Sequence, residues 1–131
     1  MVQRLLLDTH SLLWVAEGGW RLREDTFDAI NDLANEILVS SVSIWEIAIK
    51  LASGRPIPIP DLEKALEAVE KYGFVELHIT FRHAELAAGL PLHHRDPFDR
   101  MLVAQAQAEG LTVVTDDSQL SRYDVPIIPA R

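Results

Sequence analysis

The stretch Arg4-Leu-Leu-Leu-Asp-Thr-His-Ser-Leu-Leu-Trp14 decides the fold. Its first part, 4–7, is a short apolar run without polar alternation, which is typical of a strand buried on both faces of a sheet. The run stops at Asp8, and 9–17 follows with the pattern of a short helix that Gly18 ends. A buried strand that passes through a carboxylate directly into a helix predicts one unit of a parallel α/β sheet.

The rest of the chain repeats this alternation of short apolar runs and amphipathic helical patterns. Further strands are predicted at 37–40, 74–78, 111–114 and 125–128. Further helices are predicted at 25–35, 43–53, 61–72, 81–89 and 97–109. We therefore expect a single α/β domain over residues 1–131, with three α/β/α layers and a central parallel sheet of about five strands.

The composition narrows the class of protein. With 131 residues, 48% of them hydrophobic and 24% charged, the chain is typical of a soluble globular domain. It has no cysteine, so disulfides, thiolate nucleophiles and cysteine-based zinc sites are excluded. No apolar stretch approaches the roughly 20 residues of a membrane helix, and no signal-peptide cleavage site follows the first apolar run. We expect a cytoplasmic protein without a membrane partner.

The net charge of −8 lowers the expectation of nucleic-acid binding, which usually needs a basic surface. A cluster of carboxylates that binds cations also adds negative charge, however, and the bound cations cancel it. The charge therefore does not exclude a nucleic-acid substrate.

Aspartates follow two of the predicted strands. Asp8 comes directly after the first strand, and Asp116 and Asp117 follow the strand at 111–114. Ligands of open α/β sheets bind beyond the carboxyl ends of the strands, so these positions lie where a site is expected. Each also has a structural alternative, because Asp8 and Asp117 could serve as N-caps of the segments that follow them.

Two further acids fall on predicted helices. Glu46 ends the pattern Ser43-Ile-Trp-Glu46, which matches a capping box, and it could instead pair with Lys50 four residues later. Asp99 is more informative, because Asp96 already provides the N-cap of its helix and Asp99 leads an otherwise apolar stripe. Such a carboxylate is costly to bury unless it is paired or bound to a cation, although the helix dipole also favours an acid there.

If these acids converge, the chemistry that they indicate is metal-dependent hydrolysis. Clustered like charges raise one another's pKa values unless a cation intervenes. Carboxylate oxygens without cysteine favour Mg²⁺ or Mn²⁺, which can activate water and stabilise the leaving oxygen of a phosphodiester.

Other catalytic motifs are absent from the sequence. It contains neither a phosphate-binding glycine loop, nor a dinucleotide fingerprint, nor a serine nucleophile elbow. His93 and His94 are adjacent rather than four apart and are interpreted as loop residues, and His10 as a turn residue. Trp14 and Trp45 are predicted to lie in the core.

The motifs in this order make the chain resemble the PIN-domain ribonucleases, in particular the VapC-like toxins of type II toxin–antitoxin pairs. The resemblance covers most of the chain and is carried by Leu5–Trp14, Ser40–Lys50, Asp96–Ala106 and the shorter Val113–Asp117. It implies endonucleolytic cleavage of RNA with Mg²⁺ or Mn²⁺, a cognate antitoxin as partner, and a homodimer. By position it assigns the catalytic and metal-binding roles to Asp8, Glu46, Asp99 and Asp117, with Thr9, Thr115 and Asp116 beside them.

Three alternatives remain open from the sequence. One is a PIN-domain nuclease of RNA processing that has no antitoxin. A second is a phospho-receiver domain, which needs a lysine at a late strand end, whereas Lys64 and Lys71 lie within a predicted helix. The third is a PIN-like fold that binds a partner without cleaving RNA.

Overall fold

A five-stranded parallel sheet forms the centre of the protein. The structure is a computed structural model that describes residues 2–131. Its strands are β1 (Arg4–Leu7), β2 (Glu36–Ser40), β3 (Val75–Leu77), β4 (Thr112–Thr115) and β5 (Ile127–Pro129). Its α-helices are α1 (Thr9–Ala16), α2 (Glu24–Asn31), α3 (Ser41–Ala52), α4 (Leu62–Lys71), α5 (Phe81–Gly89) and α6 (Pro97–Glu109). A short 3₁₀ helix, Ser118–Arg122, connects β4 to β5.

The strand order β3-β2-β1-β4-β5 places β1 in the middle of the sheet. Successive side chains of a strand point to opposite faces, and in β1 both faces are covered. Leu5 and Leu7 belong to a core cluster that includes residues of α1 and α4, whereas Leu6 belongs to a second cluster with residues of α6. The predicted three-layer α/β/α architecture is thereby confirmed, and it explains why β1 has no polar alternation.

The same strand order fixes where a ligand site is expected. The chain builds β1, β2 and β3 outward in one direction and then returns to place β4 on the other side of β1. Ligands of open α/β sheets bind at such a switch point, outside the carboxyl ends of the two strands. The residues that follow β1 and β4 therefore face the expected site.

Two predicted helix boundaries are wrong. The helix predicted at 25–35 ends at Asn31, because Asp32 and Asn35 hydrogen-bond backbone groups of this segment and compete with the helix. The helix predicted from residue 43 begins at Ser41 instead, with the Ser40 hydroxyl accepting a hydrogen bond from the Val42 amide. The capping-box interpretation of Glu46 is consequently wrong.

One of the two tryptophan predictions is confirmed and the other is wrong. Trp14 is buried in the core, as predicted, but Trp45 is 61% exposed and packs only the edge of its ring against Phe98. The apolar side of α3 that enters the core is carried by other residues, including Ile47. Within residues 2–131, no helix is long and apolar enough to span a membrane.

We predict that the buried leucines of β1 contribute strongly to the free energy of unfolding. Leu7→Ala should lower the free energy of unfolding by about 2–5 kcal/mol, because Leu7 is fully buried and the truncation leaves a cavity. Chemical denaturation followed by circular dichroism measures the change. Leu33→Ala is the matched control, since Leu33 is 98% exposed, and it should change stability by less than about 0.5 kcal/mol. Equal losses for the two variants would contradict the assignment of β1 as the central strand.

Candidate functional site

The Asp8 carboxylate is held at the carboxyl end of β1 by groups from two segments, α1 and the end of β4. One carboxylate oxygen accepts a hydrogen bond from the Ser11 amide (2.8 Å), so Asp8 is the N-cap of α1. The other oxygen accepts from the Thr115 hydroxyl (2.6 Å) at the end of β4. Burial raises the pKa of Asp8, although these hydrogen bonds act in the opposite direction. The capping role and a position in the expected site are thus combined in one side chain.

Glu46 is buried beside Asp8's neighbour Thr9. Its Oε1 accepts a hydrogen bond from the Thr9 hydroxyl (2.6 Å), and its Oε2 pairs with Lys50 Nζ (2.5 Å). Because α3 begins at Ser41, Glu46 lies in the second turn of the helix rather than at its third position. The carboxylate therefore points across to α1 instead of back to its own helix start.

Asp99 lies in the first turn of α6, where Asp96 is the N-cap. Burial raises the pKa of Asp99 to about 7, and the negative charges of Asp96, Asp8 and Glu46 act in the same direction. A hydrogen bond between Asp99 Oδ2 and His94 Nε2 (2.9 Å) opposes this shift. The raised pKa therefore reflects mainly the burial of this carboxyl, and repulsion by the neighbouring acids adds to it.

Asp117 follows β4 and is the N-cap of the 3₁₀ helix, with Oδ1 accepting from the Gln119 amide (2.9 Å). Its Oδ2 lies 3.2 Å from His94 Nε2. Its backbone amide donates to the Thr115 hydroxyl (3.0 Å), which in turn donates to Asp8. Asp116, the extra acid in the sequence, is exposed.

All four carboxylates line one cleft of about 410 Å³ at the expected edge of the sheet. Thr9 and Asp116 line it as well, while Thr115 is buried and reaches it only through Asp8 and Asp117. The remaining lining residues are His10, Trp14, Lys50, His94 and Asp96. The structure thus brings together the acids that the sequence placed on four separate segments.

Three basic side chains in the cleft were not identified as functional from the sequence. Lys50 was considered only as a helical salt-bridge partner, His94 as a loop residue and His10 as a turn residue. His10 is instead an exposed residue of α1. For His94 the sequence carries no signal, because its contacts depend on how the 90–96 loop folds against α6 and β4.

The donor set fits a divalent cation. The carboxylates provide hard oxygen ligands, which Mg²⁺ and Mn²⁺ prefer. Among the described residues that line the cleft, six are acidic and three are basic, so the negative charge is not fully offset. A divalent cation near Asp8, Glu46, Asp99 or Asp117 would supply the missing positive charge.

A model of the PIN-domain family matches residues 5–126. The chain belongs to the PIN-domain family. The family membership anticipated from the motifs is thus confirmed, and with it the assignment to a family of nucleases. No curated protein matches the sequence.

Solved PIN-domain structures share the fold over nearly the whole chain. VapBC2 from Rickettsia felis, bound to a promoter DNA fragment, superposes with a TM-score of 0.72 at 14% identity, covering 96% of this chain and 98% of that one. VapBC-5 from Mycobacterium tuberculosis superposes with a TM-score of 0.64 at 19% identity, covering 97% of this chain and 98% of that one. A toxin–antitoxin complex from Klebsiella pneumoniae superposes with a TM-score of 0.66 at 16% identity, covering 95% of this chain and 96% of that one. At these identities the likeness establishes the fold alone.

The raised pKa of Asp99 predicts a pH-dependent stability of the metal-free protein. An acid whose folded pKa lies near 7, above its ordinary 3.8, favours folding while it is protonated and loses that contribution as the pH rises from about 4 to about 7. Asp99→Asn removes this loss. In EDTA the variant should exceed the wild type in unfolding free energy by on the order of 1–4 kcal/mol near pH 8, and by less near pH 5.

Urea denaturation at both pH values measures this difference. Asp28→Asn on α2 is the matched control, because Asp28 is exposed and remote from the cleft, and it should change stability little at either pH. A less stable Asp99→Asn protein near pH 8 would contradict the repulsion that we assign to the cleft.

Proposed function

We propose that this protein is a divalent-metal-dependent endoribonuclease and the toxin of a toxin–antitoxin pair. The observation that carries the proposal is the convergence of Asp8, Glu46, Asp99 and Asp117 in one cleft of a PIN domain. These acids come from four separate segments, and none of the helix caps alone requires their convergence. We assign to them the binding of Mg²⁺ or Mn²⁺, and the bound cation would in turn hold the scissile phosphodiester.

The protein's own residues prepare this chemistry. Hydroxyl and amide donors to Asp8, and Thr9 and Lys50 at Glu46, stabilise the ionised carboxylates and fix their orientation. When bound, the cation supplies a water of lowered pKa and charge stabilisation for the departing 3′-oxygen. Lys50 adds a positive charge at the cleft, where it can attract a phosphate oxygen.

The toxin role is supported by the structural likeness and by charge. The similar structures include toxin–antitoxin complexes from Mycobacterium tuberculosis and Klebsiella pneumoniae, which carry the same fold. A net charge of −8 and an acidic cleft attract a basic peptide segment and accelerate its association. We therefore propose an antitoxin that presents a basic segment to this cleft and competes with RNA for it.

A test of the nuclease uses purified, antitoxin-free protein with total cellular RNA. Cleavage should require Mg²⁺ or Mn²⁺ and stop in EDTA. Asp99→Asn, nearly isosteric but uncharged, should reduce the rate at least about a hundredfold. That reduction corresponds to a loss of about 2.7 kcal/mol of transition-state stabilisation, since each 1.36 kcal/mol is a factor of ten. Gel analysis of the cleaved RNA, resolved by time, measures the rate.

Asp28→Asn again serves as control and should cleave at the wild-type rate. Urea denaturation of Asp99→Asn in the metal-containing assay buffer distinguishes loss of cleavage from unfolding of the variant. Metal-independent cleavage, or full activity of Asp99→Asn, would overturn the assignment of the site. Cleavage of DNA but not RNA would overturn the substrate class and leave the metal chemistry standing.

We also propose a homodimer. Large apolar side chains remain on the surface, among them Trp45, Phe81 and Leu92. Exposed apolar area of this kind is commonly covered by a protein partner. Light scattering at micromolar concentration should give twice the chain mass, and a monomeric mass would refute the proposal.

A further inference from the structure

His94 lies between two acids of the cleft. Its Nε2 is 2.9 Å from Asp99 Oδ2 and 3.2 Å from Asp117 Oδ2, and the imidazole is largely buried. Each of the three residues offers one metal-ligand atom, and these atoms lie within 4.8 Å of one another. The three come from different elements: a loop, the first turn of α6 and the segment after β4.

The loop that carries His94 is fixed by contacts outside the acid cluster. The His94 backbone amide donates to the Tyr123 hydroxyl (3.0 Å). The guanidinium of Arg100 donates to three carbonyl groups on the approach to this loop, those of Ala87 (2.9 Å), Leu90 (3.2 Å) and Pro91 (3.1 Å). The imidazole is therefore positioned by the scaffold as well as by its attraction to the carboxylates, as an outer layer of contacts positions a metal ligand.

A simple ion pair does not satisfy this arrangement. Nε2 of an imidazole carries at most one hydrogen, whichever protonation state the ring has. That hydrogen can serve both carboxylate oxygens only as a shared, three-centre hydrogen bond, which is weaker for each oxygen than a direct bond. A cation between the three atoms would interact favourably with the lone pair of the nitrogen and with both oxygens.

The spacing of the three atoms also suits a cation. Neighbouring ligands of an octahedral ion with bonds of about 2.1 Å are about 3.0 Å apart. The two observed nitrogen–oxygen distances, 2.9 and 3.2 Å, are close to that spacing. Ligands drawn from three elements need only small side-chain movements to coordinate one ion.

We propose that His94 is a nitrogen ligand of the cleft and forms, with Asp99 and Asp117, a site that prefers Mn²⁺ to Mg²⁺. Imidazole binds transition-metal ions well, whereas Mg²⁺ strongly prefers oxygen ligands and retained water. In the other half of the cleft, Asp8 and Glu46 offer a cation oxygen ligands alone. The inference deepens the proposed metal-dependent function and names the ligand that sets its metal preference.

The test uses the full chain, without RNA and at one fixed pH, with Mn²⁺ and Mg²⁺ as probes. Calorimetric titration gives both affinities for the wild type and for His94→Gln. Gln keeps a polar side chain of similar reach but removes the imidazole nitrogen. The substitution should weaken Mn²⁺ binding about tenfold or more, and Mg²⁺ binding by less than about threefold.

Electron spin echo spectroscopy of bound Mn²⁺ supplies the direct readout. The wild type should show modulation from a coordinated histidine nitrogen, and His94→Gln should lose it. His93→Gln is the matched control, because His93 adjoins the proposed ligand on the same loop but does not line the cleft. This control should retain the nitrogen signal and the wild-type Mn²⁺ affinity.

The outcomes separate this inference from the proposed function. Mn²⁺ bound without nitrogen coupling in the wild type, or coupling that persists in His94→Gln, overturns the role of His94 and leaves the nuclease proposal intact. Equal weakening of Mn²⁺ and Mg²⁺ binding overturns the metal preference. No Mn²⁺ binding by the wild type overturns this inference, and binding of neither ion overturns the proposed metal dependence as well.

Discussion

The hydrogen bond from the Thr115 hydroxyl to Asp8 joins the carboxyl ends of β1 and β4. These two strands are neighbours in the sheet although more than one hundred residues separate them in sequence. The same hydroxyl accepts a hydrogen bond from the Asp117 backbone amide, so the Thr115 side chain sets the relative positions of Asp8 and Asp117. The site can exist only because the chain crosses back past β1 to place β4 beside it. The switch in strand order is thus the constraint on which the geometry of the cleft depends.

The cleft concentrates more negative charge than its own basic residues offset. Lys50 pairs with Glu46 and His94 lies between Asp99 and Asp117, yet the pKa of Asp99 stays near 7. Without a cation, this repulsion opposes folding. A fold selected for stability alone would replace such acids, and well-packed neutral residues at buried ionic sites are often at least as stabilising. The repulsion is therefore better explained by a ligand of opposite charge than by the requirements of the fold.

The sequence predicts the sheet and the acids well, because both depend on local signals. Apolar runs mark the strands, and Asp96 with Pro97 marks the start of α6 where the structure has it. The sequence-based prediction fails where tertiary contacts determine the structure. Helix α3 begins two residues before its predicted start, so Glu46 points toward Thr9 and Trp45 lies on the surface. His94 is the clearest case, since no local pattern specifies its contacts with Asp117 and Tyr123, which follow β4 in the chain. Assigning functional roles to the acids needed the family resemblance as well.

The two halves of the cleft differ in solvent exposure, and this difference determines which half a ligand reaches first. Asp8 and Glu46 are buried and fully engaged with donors of the scaffold, whereas the Asp99 and Asp117 side chains are 17% and 35% exposed. A ligand that enters from solvent therefore meets the His94 side of the cleft first. A basic segment of a protein partner would find its strongest attraction there, at two carboxylates that share one histidine. Under the proposed function, the metal and such a partner would compete for the same three side chains, so occupancy of this outer half would control access of RNA to the inner acids.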